Sequence, residues 1–164
     1  MENALIRLAS SADLEAIDRI YNHWVLHSTC TYQLEVDAPP KRREWLAAHG
    51  PQHPVTVAEV GQEVVGWGAL SPFHPRLGYR YSVEDSLYVD ANYQRRGIGR
   101  ALLADLLQRA GRLEHHVVIA LIDSQQEHSI RLHAQQGFVQ AGRLHEVGFK
   151  FGQWLDVCYM ERRV

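Results

Sequence analysis

Apolar positions recur along this chain at two spacings, and the changes from one to the other mark its elements. Residues 5–8 form a short apolar strand candidate. Leu14, Ile17, Ile20, Tyr21, Trp24 and Val25 then fall three and four apart, which places them on one side of a helix. Ser10 and Ser11 can cap that helix, which is expected to run to about His27. Asp37-Ala38-Pro39-Pro40 interrupts the pattern, its prolines can open a second helix over 41–49, and Gly50-Pro51 ends it. From there strand character dominates: 55–59 and 64–71 read as a hairpin joined by Val60-Gly61-Gln62-Glu63, and 80–89 reads as the next strand. The helical period returns at Ile98, Leu102, Leu103, Leu106, Leu107, Ala110 and Leu113. A buried strand over 117–122, a helix over 126–135 ended by Gly137, and strands over 139–145 and 155–160 complete the chain. The predicted order is β-α-α-β-β-β-α-β-α-β-β, without repeats or low-complexity linkers.

At 164 residues this is the length of one domain able to bury its own core, so residues 1–164 are expected to form a single domain. Composition then removes several classes of function. The formal net charge is −2 with 22% charged residues, so nothing in the overall charge calls for a nucleic-acid partner. Cys30 and Cys158 are too few for a disulfide framework and lack zinc-ribbon spacing. The N-terminus lacks a basic segment followed by an apolar run, and no apolar stretch approaches the roughly 18 residues of a membrane span. A cytoplasmic protein, neither secreted nor membrane-spanning, is the expectation.

The chemistry concentrates where the strand over 80–89 meets the helix beginning near Ile98, through Gln94-Arg95-Arg96-Gly97-Ile98-Gly99-Arg100. The first turn of a helix leaves backbone N–H groups without partners and carries partial positive charge. Gly97 and Gly99 permit close backbone approach there, and Arg95, Arg96 and Arg100 add positive charge. The segment is a candidate pyrophosphate cradle. A P-loop is excluded, because Gly99 is followed by Arg100-Ala101 and no Gly-Lys-Ser/Thr is present. The dinucleotide fingerprint needs a third glycine where this chain has Leu102, and it belongs near a first βαβ unit rather than in mid-chain.

Gln94-Arg95-Arg96-Gly97-Ile98-Gly99 resembles the Gln/Arg-x-x-Gly-x-Gly/Ala coenzyme A loop of the GNAT N-acetyltransferases. The predicted element order is similar to that family's α/β (α+β) acyl-CoA N-acyltransferase fold, with its mixed central sheet, over nearly the whole chain. A narrower resemblance is carried by Ser82-Val83-Glu84-Asp85-Ser86-Leu87-Tyr88-Val89-Asp90, Ser129-Ile130-Arg131-Leu132-His133, Gly137-Phe138 and Val147-Gly148-Phe149-Lys150-Phe151-Gly152-Gln153-Trp154-Leu155-Asp156. These segments look like the phosphinothricin and methionine sulfoximine acetyltransferase branch. The resemblance implies acetyl-CoA as co-substrate, a small amino acid with a free α-amine as acceptor, and a homodimer.

An α-amine has a pKa of about 8 and is mainly charged at neutral pH, so acetyl transfer to it needs a base. The resemblance places that base at Glu84, with Asp85 its nearest rival. Neighbouring strand residues face opposite ways, so the two are not expected to point into one site without a bulge. It also implies that His133 is the proton donor to the departing thiolate, paired functionally with Glu84. The family uses main-chain N–H groups of Leu87, Tyr88 and Val89 for the thioester carbonyl and the pantetheine arm. Gln126 stands where an asparagine often holds the pantetheine, and Gln135 is a further coenzyme contact candidate.

For the acceptor, Arg76, Tyr79, Arg80 and Tyr32 match positions of substrate contacts in the resembling branch, and arginine's planar fork suits a carboxylate. The ten histidines do not suggest a metal: His23 and His27, and His115-His116, come with no His-Glu-x-x-His pattern and no third ligand at useful spacing. Direct transfer requires no acyl-enzyme, so Cys30 reads as a packing residue, as do the four tryptophans. Two other readings stay open: acetylation of a peptide N-terminus or another small amine, and a non-catalytic acyl-CoA sensor.

Overall fold

The computed structural model describes residues 4–164. Its elements are β1 (Leu5–Leu8), α1 (Leu14–His27), α2 (Pro39–Ala48), β2 (Val55–Val60), β3 (Glu63–Pro72), β4 (Ser82–Val89), α3 (Ile98–Arg112), β5 (Val117–Asp123), α4 (Glu127–Gln135), β6 (Val139–Lys150) and β7 (Gln153–Arg163). The order is the predicted one.

Boundaries move for local reasons. Ser10 does cap, but over a 3-10 turn of Ser11–Asp13 that precedes α1; its hydroxyl accepts from the Ala12 amide, and Asp13 accepts from the Ser10 amide at 2.7 Å. Helix α2 begins two residues earlier than expected, because Pro39 and Pro40 themselves occupy its first turn. Strand β4 begins at Ser82, since Leu77–Tyr79 form a 3-10 turn closed by the Arg80 amide on the Leu77 carbonyl. Strand β6 runs to Lys150 instead of 145: Phe151 and Gly152 both have positive φ, and this two-residue turn keeps Lys150 paired with Gln153.

The seven strands form one sheet in the order β1-β2-β3-β4-β5-β7-β6, antiparallel everywhere except between β4 and β5. Adjacent residues sort to opposite faces. Leu70, Val83 and Val118 pack with Leu103, Leu106 and Leu107 of α3, with Leu132 of α4 against the same cluster. Ala69 and Trp67 pack with Ile17 and Ile20 of α1, joined by Trp45 of α2 and Tyr88 of β4. Thus α3 and α4 cover one face, and α1 and α2 the other.

The parallel ladder pairs Ser82, Val83 and Glu84 with Val117, Val118 and Ile119 and stops there. Both strands continue, β4 to Val89 and β5 to Asp123. Beyond Glu84 the sheet therefore opens into a cleft, and β4 presents backbone N–H and C=O groups toward it that the β5 ladder does not use.

Candidate active site

That cleft is the mouth of a cavity of about 880 Å³, within the range of sites that hold small molecules. Its walls come from the splayed strands, the starts of α3 and α4, the end of α1 and the segment after α1.

One end is cationic. Helix α3 begins after Gly97, whose φ of 84° is the left-handed conformation that glycine adopts without cost. The helical ladder starts with the Ala101 amide on the Gly97 carbonyl at 3.0 Å, which leaves the amides before it without helical partners. Arg95, Gly97, Ile98, Gly99 and Arg100 all line the cavity. Arg96 does not: its guanidinium bonds the Asn92 carbonyl at 3.0 Å and lies over the Tyr93 ring. Burial and the charges of Arg131 and Arg95 hold His128, another lining residue, below the ordinary histidine value.

The middle of the cavity is acidic. Glu84, Asp85 and Asp123 line it. Burial raises the Glu84 carboxyl above the ordinary carboxylate value, and the Asp85 charge pushes the same way. The register of β4 on β3 is continuous from Val83 to Val89, so no bulge turns either side chain. Glu84 shares a strand face with Tyr88 on the α1 side, whereas Asp85 shares one with Val83 and Leu87 on the α3 side. Both residues line the cavity, yet the Asp85 carboxylate is turned to His133 and is 2% exposed, so the two carboxylates face apart as the alternation of strand side chains predicts.

The hydrogen-bond partner of His133 is Asp85 and not Glu84. Nε2 of His133 lies 3.1 Å from the Asp85 carboxylate and Nδ1 lies 2.8 Å from the Ser129 carbonyl. Both partners are acceptors, so the ring satisfies them as an imidazolium. Burial alone would lower this histidine, but the Asp85 hydrogen bond and charge, with the Ser129 carbonyl, carry it above its ordinary value.

The third wall is the segment after α1. Lys150, buried at the end of β6, donates to the carbonyls of Ser28 and Thr31 at 2.7 Å each. The Tyr32 ring lies on Gly148, where a Cβ would come within 2.4 Å of it, and its hydroxyl donates to the Asp156 carbonyl. Burial, with the charges of Asp123 and Asp156, pushes the Tyr32 hydroxyl up to about 12. The Gln126 amide, expected on the coenzyme, donates to Thr29 at 3.3 Å while still lining the cavity. Burial raises the Cys30 thiol, which disfavours the thiolate a nucleophile needs.

The structure thus brings Tyr32, Glu84, Leu87, Tyr88, Val89, Arg95, Gly97, Ile98, Gly99, Arg100, Gln126 and His133 to one cavity. Arg76, Tyr79 and Arg80 stand exposed on the segment before β4, outside the cavity walls, with Arg80 stacked on Tyr81. Gln135 is exposed near the far end of α4, because its position on that helix points away from the cleft. Among the described residues, no group of three or more His, Cys, Asp or Glu side chains is placed to hold a metal ion. Likewise, no described helix is long and apolar enough to cross a membrane. Sequence reasoning missed Lys150 and Gly148; the only signal was their place in the segment quoted for the resemblance.

A profile described as "Acetyltransferase (GNAT) family" matches residues 17–138. The chain is 40% identical over 157 residues to the L-methionine sulfoximine/L-methionine sulfone acetyltransferase of Salmonella typhimurium, covering 95% of this chain and 92% of that protein. Among solved structures it is similar to a GNAT superfamily phosphinothricin acetyltransferase from Sinorhizobium meliloti in complex with AcCoA: TM-score 0.96, 35% identity, 100% of this chain and 89% of that one. It is also similar to a ribosomal-protein-alanine N-acetyltransferase from Brucella melitensis, with TM-score 0.95, 41% identity, and coverage of 98% and 99%.

Proposed function

This chain belongs to the GNAT family of acetyl-CoA-dependent N-acetyltransferases, and on that premise we propose that its residues act as one domain that acetylates the α-amine of a small amino acid. The acceptor class is that of phosphinothricin, methionine sulfoximine and methionine sulfone. The observation that carries this reading is the polarity of the cavity. A cationic cradle suits the pyrophosphate of acetyl-CoA, and an acidic stretch beyond it suits an amine.

The Gly97–Arg100 turn, with Arg95, would hold the pyrophosphate, and the backbone of Leu87, Tyr88 and Val89, past the end of the β5 ladder, would take the pantetheine arm and the thioester carbonyl. Acetyl-CoA supplies the activated acetyl group. Glu84 accepts the amine's proton, and its raised pKa brings it closer to the working range of a general base. The proton for the thiolate is assigned to the His133 and Asp85 pair, with His133 giving up one of its two hydrogen bonds to deliver it. Tyr32, set by Gly148 and Lys150, contacts the acceptor.

The same proposal includes a homodimer in the cytoplasm. Phe149 and Trp154 pack across β6 and β7 with ring centroids 4.9 Å apart, yet remain 53% and 61% exposed, with Val147 and Phe151 near them in the chain. An apolar group of this kind suits a second copy of the chain. Two free cysteines suit a reducing compartment.

The test is release of coenzyme A from acetyl-CoA, offered with phosphinothricin, methionine sulfoximine, methionine sulfone, ordinary amino acids, a short alanine-led peptide and a polyamine. Preference for the first three supports the reading. Preference for the peptide moves the acceptor class toward the ribosomal-protein alanine named for the Brucella structure, and tight coenzyme binding without release on any amine would identify a sensor.

A further inference from the structure

The ladder between β3 and β4 decides where the main chain of β4 points. In an antiparallel pair the residues that exchange hydrogen bonds recur at every second position. The Ser82 carbonyl accepts from the Phe73 amide at 3.2 Å, and at the other end the Asp90 amide donates to the Val65 carbonyl at 2.8 Å. The register between them is unbroken. Asp90 thus turns its amide to β3, while Val89 and Leu87 turn their N–H and C=O groups to the opposite side. There the β5 ladder has already ended, at Glu84, and both residues line the large cavity.

One of these groups is held. Trp24, in the last turn of α1, donates its indole N–H to the Val89 carbonyl at 2.9 Å. Its ring is partly buried and belongs to the cavity wall. The peptide plane between Val89 and Asp90 is therefore bonded on both edges, its C=O to α1 and its N–H to β3. Helix α1 also reaches the Asp90 side chain. Arg19 pairs with one carboxylate oxygen, and the other accepts from the Asn92 amide at 2.9 Å, which caps the 3-10 turn Ala91–Tyr93. That turn leads from β4 to the cationic end of the cavity.

These bonds sit between two places that one ligand would join. The main-chain groups of Leu87 and Val89 lie before the pinned plane, and the Gly97–Arg100 turn lies after it. Coenzyme A carries its pantetheine arm and its pyrophosphate on one covalent chain, so both places engage it together only at a matching separation. We propose that Trp24 is a positioning residue for the coenzyme: by holding the Val89 carbonyl it fixes the last plane of β4, and with it the distance from the arm's edge to the pyrophosphate turn. This inference rests on the coenzyme reading of the cavity and holds for any acceptor amine. It gives a role to a tryptophan whose helical spacing alone reads as packing.

Trp24→Phe tests this, because it removes the N–H and leaves a ring against the wall. Calorimetry with coenzyme A, with pantetheine and with 3′-phosphoadenosine 5′-diphosphate measures the whole ligand and its two halves, and needs no acceptor. Coenzyme A should bind the variant about tenfold more weakly, the worth of one hydrogen bond, while each half keeps its affinity within about twofold. An unchanged affinity for coenzyme A overturns the proposal, whether or not Tm has fallen, because the tryptophan then only packs. A loss of similar size borne by either half alone also overturns it, because Trp24 would then act on that half and not on the distance between the two. Trp24→Leu, which likewise lacks the N–H, carries the same comparison if Trp24→Phe does not fold. Acetyl transfer is scored separately. The expected affinity pattern without transfer to any amino acid supports the positioning role and overturns the acceptor reading, and transfer with unchanged coenzyme affinity does the reverse. A wild-type chain that binds no coenzyme A overturns both.

Discussion

His133 meets Asp85 at 3.1 Å across the gap between α4 and β4, and both side chains are almost wholly buried. The neighbouring Glu84 is left on the other face of the strand, free of that pair. Asp85→Asn should therefore separate the two carboxylates' roles. Because the folded His133 titrates above its unfolded value, the pair's contribution to stability is complete below about pH 6.5 and is lost as pH rises through the folded value. In Asp85→Asn the Asp85 charge is gone, and burial of His133 is opposed mainly by the Ser129 carbonyl. Denaturation across about pH 5.5 to 9 should show the variant weaker by about 1–3 kcal/mol at the acid end, with the deficit shrinking toward the alkaline end. A deficit independent of pH would rule out the ion pair.

Glu84→Gln should lower kcat/KM by about 10²- to 10⁴-fold while coenzyme A still binds. The wild-type rate should rise with pH as Glu84 ionises, through a value above the ordinary 4.5, and that limb should vanish in the variant. A raised carboxyl pKa favours folding below its unfolded value and loses that advantage as pH climbs through the folded value. At neutral pH the uncharged amide should thus unfold at a higher temperature than wild type. Activity kept within about threefold would remove Glu84 from the base role.

Gly148→Ala drives a Cβ into the Tyr32 ring, since the two would stand 2.4 Å apart. The overpacking should cost about 1–3 kcal/mol and raise the acceptor KM more than the acetyl-CoA KM. In a Tyr32→Ala background the same substitution should cost much less. Equal costs in both backgrounds, measured by urea denaturation, would show that the contact is not what the glycine serves.

Gly97→Ala forces an L side chain to φ 84° at the start of α3, at a cost of about 1–2 kcal/mol. The turn that lines the cationic end should shift, raising the acetyl-CoA KM with little change in the acceptor KM. Arg100→Ala should weaken coenzyme binding too, by an amount that shrinks with added salt.

Trp154→Glu places a charge at the exposed Phe149 and Trp154 pair. Sedimentation should show a dimer for wild type and a monomer for the variant. A wild-type monomer at assay concentration would refute the dimer directly.

The cradle was legible because its signals are local. Gly97 answers a backbone angle, Ile98 and the leucines after it answer a helical period, and both are read a few residues at a time. Glu84 was legible only through resemblance, since one carboxylate in a strand looks like any other. Arg76, Tyr79, Arg80 and Gln135 were matched on position, and the folded chain carries them away from the cavity. Trp24 read as packing, and its hold on Val89 becomes visible only once α1 lies beside β4.

By itself the sequence determined the order of elements, the strand-to-helix turn for an anion and the family, because periodicity, capping and motif spacing act over short stretches. Tertiary structure alone decided that the β4 and β5 ladder ends at Glu84, that Asp85 rather than Glu84 meets His133, and that Lys150 ties down residues 28 and 31. Those depend on strand register and on partners 48 to 122 residues apart in the chain, and no local preference encodes such a distance.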